Sequence, residues 1–384
     1  MYMLLHLTDH MIKKDNNSEM YKARSSSDCC TSRGKFVLRT RPITQLKPTS
    51  TVHYQAQRTY RAAQCQELGK PLVLARLPSQ ELQSGQVRIK VCAAGVNFGD
   101  LLMIQGAYQE KPPLPFVAGS ELAGEVLDIG DDVTNFRKGD RVVGLTFNLG
   151  AFAEEAVCNQ YELWHIPKSI DYVTAASLPC SYGTAWLGLT RRAKVREGET
   201  VLVTAAAGAV GLAAVDLASH VLGAKVIGAA GGPEKCQLLE KRGAFATIDY
   251  KTESIRDKTK EVTDGEGANV IFESVGGDTF KQCLRSIAWE GRIMVIGFAG
   301  GEVPKIPANI LLVKNVSAIG FYWGQHALKD NAAYRKSVED VFKLCDQGKI
   351  SPHIGKVWTL DQVNEAFLSV KDRKSTGKVV VKMD

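Results

Sequence analysis

The chain has 384 residues, two or three domain-lengths, with 45% hydrophobic and 23% charged residues, and no run approaches the roughly 20 apolar residues that a membrane-spanning helix needs. Its nine cysteines are scattered and form no C-x-x-C pair, which excludes a disulfide scaffold and a zinc ribbon and points to a reducing compartment. The net charge of +7 sits wholly in the first 64 residues; the remaining body is neutral, which argues against strong nucleic-acid binding.

Those first residues hold no persistent apolar period, and between Asp28 and Glu67 there is no acidic residue while Ser, Thr, Arg and Lys dominate. Such a composition fits a mitochondrial transit peptide: the basic side chains are drawn toward a negative matrix, and a segment too poor in apolar residues to fold is readily threaded. Residues 1–60 are therefore expected to be a disordered, basic targeting tail leading to the mitochondrial matrix, with Met20 as an alternative start. The competing reading is an ordinary disordered extension on a cytoplasmic protein.

From about Pro71 short strand patterns begin. Gln86–Val91 alternates polar and apolar residues, and Gly124–Ile129, Asp140–Leu145, Ala151–Cys158 and Leu163–Pro167 follow between Gly-Asp and Asp-Asp turns, the spacing of a small β-barrel-like domain. After about Ser181 strands and helices alternate. Strands are expected at Thr200–Thr204, Lys225–Ala229, Ala246–Tyr250, Asn269–Ser274, Arg292–Phe298 and Val316–Phe321, and helices at Val210–Leu222, Pro233–Lys241, Ser254–Val262 and Thr279–Trp289. Six apolar strands separated mainly by helices predict an α/β fold with a doubly wound parallel sheet. The last stretch has helices Tyr334–Cys345 and Leu360–Val370 and a closing strand Lys378–Val381, and is expected to return to the first domain.

The first strand of the parallel sheet runs into Ala205, Ala206, Ala207, Gly208, Ala209, Val210 and Gly211 and then an apolar helix. Small residues here permit a tight turn and close approach of backbone to a pyrophosphate, which the free N–H groups of the helix start then hold. The spelling is A-x-x-G-x-x-G, and its place between strand and helix identifies a dinucleotide site. At the end of the second strand, Gly228-Ala229-Ala230-Gly231-Gly232-Pro233-Glu234-Lys235, no carboxylate stands where one would grip the ribose hydroxyls. Lys235 follows on the next helix and Tyr250 ends the third strand, so NADPH is favoured over NADH; the alternative is a solvated helix lysine partly cancelled by Glu234.

The strings Gly95-Val96-Asn97-Phe98-Gly99-Asp100, Gln105-Gly106-Ala107-Tyr108, Gly119-Ser120-Glu121 and Ser181-Tyr182-Gly183-Thr184-Ala185 resemble the zinc-free, ζ-crystallin-like quinone oxidoreductases of the medium-chain dehydrogenase/reductase superfamily, over about residues 62–384. The resemblance implies a GroES-like β-rich substrate domain (62–181 plus 325–384) interrupted by a Rossmann domain (182–324), with the active site between them, in a homodimer or homotetramer. It also implies that Lys235, Tyr250 and Arg373 contact the adenosine phosphate and that Asn97 and Tyr108 line the substrate cleft. Gly297 and Phe298, in the string GFAGG at the end of the fifth strand, join the expected cofactor set. A cleft position that is often tyrosine in this family is Leu102 here, so substrate range does not transfer.

Zinc-dependent relatives place a Cys ligand in the loop after the first long strand and a His in a Gly-His-Glu string; this chain has Asn97 and Gly99 in that loop and Gly119-Ser120-Glu121 in place of the string, so no zinc is expected. Without a Lewis acid, simple alcohol oxidation is a poor prospect, whereas a quinone or conjugated enone spreads the developing charge and needs a single hydrogen-bond donor. Tyr108 is the expected donor or proton source, with the Asn97 amide beside it; the alternatives are a wall-lining aromatic and a turn-forming asparagine. Tyr182 and Thr184 are candidates for nicotinamide contact, although helix capping also accounts for Thr184. Two other readings compete: a mitochondrial enoyl thioester reductase, to which Asp100–Tyr108 is also similar, and an NADPH-binding protein without turnover, structural or RNA-associated.

Overall fold

Alternating and continuous apolar runs sort the body into two kinds of sheet. The computed structural model describes residues 58–146 and 148–383, and nearly all of the segment read as a targeting tail lies outside the described residues. The alternating strands Gln86–Val96, Glu121–Ile129, Arg141–Leu145, Glu155–Asn159 and Leu163–His165 form an antiparallel arrangement. It is joined at one side by Lys378–Lys382, which pairs antiparallel with Gln86–Val96, and then by Ile354–Thr359. A separate three-stranded sheet sets Thr59–Cys65 between Val73–Pro78 and Phe116–Val117.

The continuous apolar runs form a six-stranded parallel sheet in the spatial order Ala246–Asp249, Lys225–Ala230, Thr200–Val203, Ala268–Glu273, Ile287–Val295, Ser317–Gly320. Chain order reverses between the adjacent strands Thr200–Val203 and Ala268–Glu273, which opens a crevice at their carboxyl ends, where such sheets bind ligands. Val201, Leu202, Val203, Val226, Ile227, Val270, Ile271, Phe272 and Ile293 are fully buried, as strands covered on both faces require. The α/β architecture expected from the sequence is therefore present. No helix among the described residues is long and apolar enough to cross a membrane.

Four expectations need correction. Strand Thr59–Cys65 is not among the expected elements and its first two residues fall in the 1–60 tail; it pairs with Val73–Pro78 on one side and Phe116–Val117 on the other. Helix Pro179–Leu187 precedes the expected switch at Ser181, and Thr184 lies inside it, so capping does not explain that residue. The expected helix Thr279–Trp289 stops at Ser286; Ile287 pairs with Ala268, and the fifth strand runs Ile287–Val295 instead of Arg292–Phe298. Apolar residues at 284, 287 and 288 satisfy either period, and only the neighbouring strand decides. Helix Ala308–Lys314, not expected, has no buried residue.

Candidate active site

The bend after Thr200–Val203 is shaped by its small residues. Ala205 has φ +45°, a left-handed conformation unusual for a residue with a side chain, and its carbonyl accepts from Gly208 N–H at 2.9 Å to close the turn. Helix Ala209–Asp216 then starts with first-turn N–H groups that have no intrahelical carbonyl. A Cβ at Gly211 would lie 2.4 Å from Ala205 O, so glycine is what lets the helix approach the strand. Ala206 and Ala207 are buried, while Gly208, Ala209 and Val210 are partly open. The loop at Gly297 and Phe298 is tied beside the crevice: Ala299 N–H donates to Ser274 O at 2.9 Å and Gly300 N–H to Val275 O at 2.8 Å.

Three cations gather beyond the second and third strands. Lys235 Nζ donates to Arg373 O at 2.7 Å, and Arg373 Nη2 donates to Ala299 O at 3.0 Å. Burial, then the charges of Lys251 and Arg373, lower the Lys235 ammonium pKa. Among the described residues none of Lys235, Lys251 and Arg373 makes an ion pair. Of the carboxylates at the strand end, Asp249 accepts from the backbone N–H groups of Gly232 at 2.8 Å and Lys251 at 3.1 Å, and Glu253 accepts from the Asp249 N–H at 2.9 Å. Gly231 leaves space under the Tyr250 hydroxyl, which a Cβ there would approach to 2.8 Å. Like charges held together with no ion pair among the described residues suit a multiply charged anion. Lys251 had not been singled out in the sequence, since a lysine one residue past a strand end has no distinguishing pattern.

The opposite wall comes from the antiparallel sheet. Asn97 caps helix Phe98–Ile104, and its N–H donates to Asp100 Oδ2 at 3.0 Å, while Ser120 Oγ donates to Asp100 Oδ1 at 2.8 Å. Burial pushes the Asp100 carboxyl up to about 6 against the opposing pull of those two bonds. The Asn97 amide is also committed: Lys378 Nζ donates to its Oδ1 at 2.7 Å, and its Nδ2 donates to Glu121 Oε2 at 3.0 Å. Lys378 and Glu121 form a wholly buried ion pair at 2.5 Å, and Glu121 Oε1 accepts the backbone N–H of Cys180 at 2.8 Å. The Cys180 thiol, pushed up to about 12 by burial and then by Glu121, stays protonated.

Tyr108 reaches across from this wall. Its hydroxyl stands 3.3 Å from that of Tyr322, which follows the sixth parallel strand. Burial, then the Tyr322 bond, holds the Tyr108 phenol above the ordinary tyrosine range, so at neutral pH it is an un-ionised O–H donor. Tyr322 was missed in the sequence; its signal was a place at the carboxyl end of a parallel strand. Tyr182 departs from expectation: it is 4% exposed and its hydroxyl donates to buried Asp216 at 2.7 Å, so it braces helix Pro179–Leu187 against helix Ala209–Asp216. Thr184, two residues further on, is partly exposed.

Two family models match the chain, alcohol dehydrogenase GroES-like domain over residues 83–168 and zinc-binding dehydrogenase over residues 209–343. A quinone oxidoreductase-like protein 2 homolog from Nematostella vectensis is 54% identical over 327 residues, covering 85% of this chain and 89% of its own. The chain belongs to the quinone oxidoreductases of the medium-chain dehydrogenase/reductase superfamily. Within that superfamily it is also 29% identical to acryloyl-coenzyme A reductase of Sulfurisphaera tokodaii over 336 residues, covering 80% of this chain and 96% of that one. A crystal structure of Escherichia coli quinone oxidoreductase complexed with NADPH superposes with a TM-score of 0.76 at 27% identity, covering 84% of this chain and 99% of that one.

Membership makes the chain an oxidoreductase. The zinc named in one family description is not matched by the donors of this cleft. Asn97, Ser120 and Glu121 are already engaged with Lys378 and Asp100, and a buried ammonium among them opposes a second cation. Among the described residues no group of three or more His, Cys, Asp or Glu side chains is placed to hold a metal ion.

Proposed function

We propose that this oxidoreductase reduces a quinone or a conjugated enone, with NADPH as the reductant. The observation that carries the reading is the cluster of Lys235, Lys251 and Arg373, which makes no ion pair among the described residues and lies beyond the end of strand Lys225–Ala230, next to the strand that leads into the alanine-glycine bend. The bend fits a dinucleotide because Gly208 carries no side chain over the turn and Gly211 lets the helix start lie close against the strand, while Gly231 leaves room at Tyr250. Ala205–Gly211 would hold the pyrophosphate through backbone N–H groups, and Lys235, Lys251, Arg373 and Tyr250 the ribose phosphate. When bound, NADPH supplies the hydride.

The residues of the chain supply position and a proton. Tyr108 keeps its proton through neutral pH and offers the O–H to the oxygen on which negative charge develops; Tyr322 orients that hydroxyl. The Asn97 amide donates to the same oxygen. Single-turnover loss of NADPH absorbance with 1,2-naphthoquinone, an aliphatic enone and crotonyl-CoA in parallel tests the reading. Transfer to the quinone or enone, slowed about 10- to 100-fold by Tyr108→Phe, supports it. A signal with crotonyl-CoA alone would favour the thioester reading, toward which the acryloyl-coenzyme A reductase relative points. Silence with all three acceptors and intact cofactor affinity would favour binding without turnover.

We also propose that the enzyme is a homodimer joined through helix Ala308–Lys314 and the open edge of strand Ser317–Gly320. Leu312 is 83% and Val313 69% exposed, and an unpaired strand edge beside an uncovered apolar helix is suited to a second copy. Leu312→Asp/Val313→Asp is expected to halve the mass in sedimentation equilibrium; an unchanged mass would place the interface elsewhere.

A further inference from the structure

An amide side chain is informative when its two ends have partners of opposite kind. At Asn97, Oδ1 accepts from an ammonium and Nδ2 donates to a carboxylate. The flipped amide would turn N–H toward the ammonium and oxygen toward the carboxylate, so only one orientation is tolerated. The second N–H of Nδ2 has only Gly95 O at 3.5 Å, too long to hold it. Lys378 and Glu121 have side chains 2% and 0% exposed, so neither reaches a substrate. A buried ion pair is a weak source of stability compared with apolar packing, which leaves its geometric effect as the one to explain.

The strand geometry is built around that pair. Gly95 faces it with no side chain; a Cβ there would lie 2.6 Å from Lys378 Cε, 2.7 Å from Glu121 Oε2 and 2.4 Å from Ala176 O. One peptide before Lys378, Gly377 N–H donates to Ala207 O in the cofactor bend at 2.8 Å. The residue that orients the amide is thus anchored to the turn expected to seat the dinucleotide, and both stand in one rigid frame.

We propose that Lys378 and Glu121 are positioning residues that act through Asn97, locking its amide so that the second N–H is the donor left for the substrate oxygen. This rests on the reductase reading above. Removing one partner alone strands a buried charge, so the test uses the uncharged pair Lys378→Met/Glu121→Met in the full-length chain, with and without Asn97→Ala. The pair variant is expected to bind NADPH within about twofold of wild type and to transfer hydride to 1,2-naphthoquinone about 30-fold more slowly. Asn97→Ala should slow wild type by a similar factor of about 30 but the pair variant by less than about twofold. Equal slowing by Asn97→Ala in both backgrounds would overturn the proposal.

Nuclear magnetic resonance of protein labelled at asparagine nitrogen supplies a readout independent of turnover. The Asn97 side-chain signal, assigned by its loss in Asn97→Ala, should show one carboxylate-shifted, exchange-protected N–H and one exposed N–H in wild type. Two equivalent or unprotected N–H signals in wild type would overturn the locked orientation, whether or not the pair variant folds. A wild-type enzyme that reduces none of the three acceptors, yet shows the locked amide, would instead defeat the reductase reading.

Discussion

Lys235→Glu is expected to weaken NADPH binding about 100-fold while changing NADH affinity by less than about threefold. The substitution removes one of three cations and adds an anion, and only the 2′-phosphate of NADPH carries enough local charge to feel both. Lys235 is half-buried and meets the like charges of Lys251 and Arg373 with no carboxylate paired to it, so its field is not cancelled in advance. The measurement is the ratio of the two dissociation constants by fluorescence titration at fixed salt, because the phosphate contribution is screened as ionic strength rises. Equal losses for the two cofactors would mean that Lys235 is a surface lysine and that NADPH preference has another source. Lys251→Ala is expected to move the ratio in the same direction by a smaller factor.

The two glycines of the bend are expected to respond to very different degrees. Gly211→Ala brings a Cβ within 2.4 Å of Ala205 O and 2.7 Å of Ala206 Cα, both on backbone that cannot rotate away. The helix has to lift from the strand, at a stability cost of about 3 kcal/mol, and the N–H groups at its start move with it. Thermal unfolding should show a lowered midpoint and a much reduced further rise on adding NADPH. Gly208→Ala meets nothing nearer than Ala205 O at 3.3 Å, and Gly208 has φ −80°, open to any residue. Its effect is expected to stay under about 1 kcal/mol. If Gly208→Ala were the more damaging of the two, the helix–strand contact would not be what this motif protects.

Asn97 marks the limit of what could be read without coordinates. Its residue type allowed either a substrate donor or a turn-forming side chain. The folded chain makes it a helix cap and also holds its amide between Lys378, 281 residues away in sequence, and Glu121. Tyr182 went the other way: its position at the domain junction drew attention, but Asp216, on a different helix, takes its hydroxyl into the interior. The bend at residues 205–211 was legible because all of its determinants, strand, small residues and helix, are local.

The sequence by itself determined the six-strand alternation of the parallel sheet, the dinucleotide bend and the lack of a Cys in the Asn97 loop or a His in the Gly119-Ser120-Glu121 string, since each is written in neighbouring residues whose periodicity, size or identity is local. Only the tertiary structure decided that Lys378 closes against Glu121 and Asn97, that Tyr322 meets Tyr108 and that Lys251 joins Lys235 and Arg373. Those contacts join distant segments through strand register and sheet crossover, and a side chain's partner across a sheet depends on which strand lies next to it, a quantity no local pattern contains.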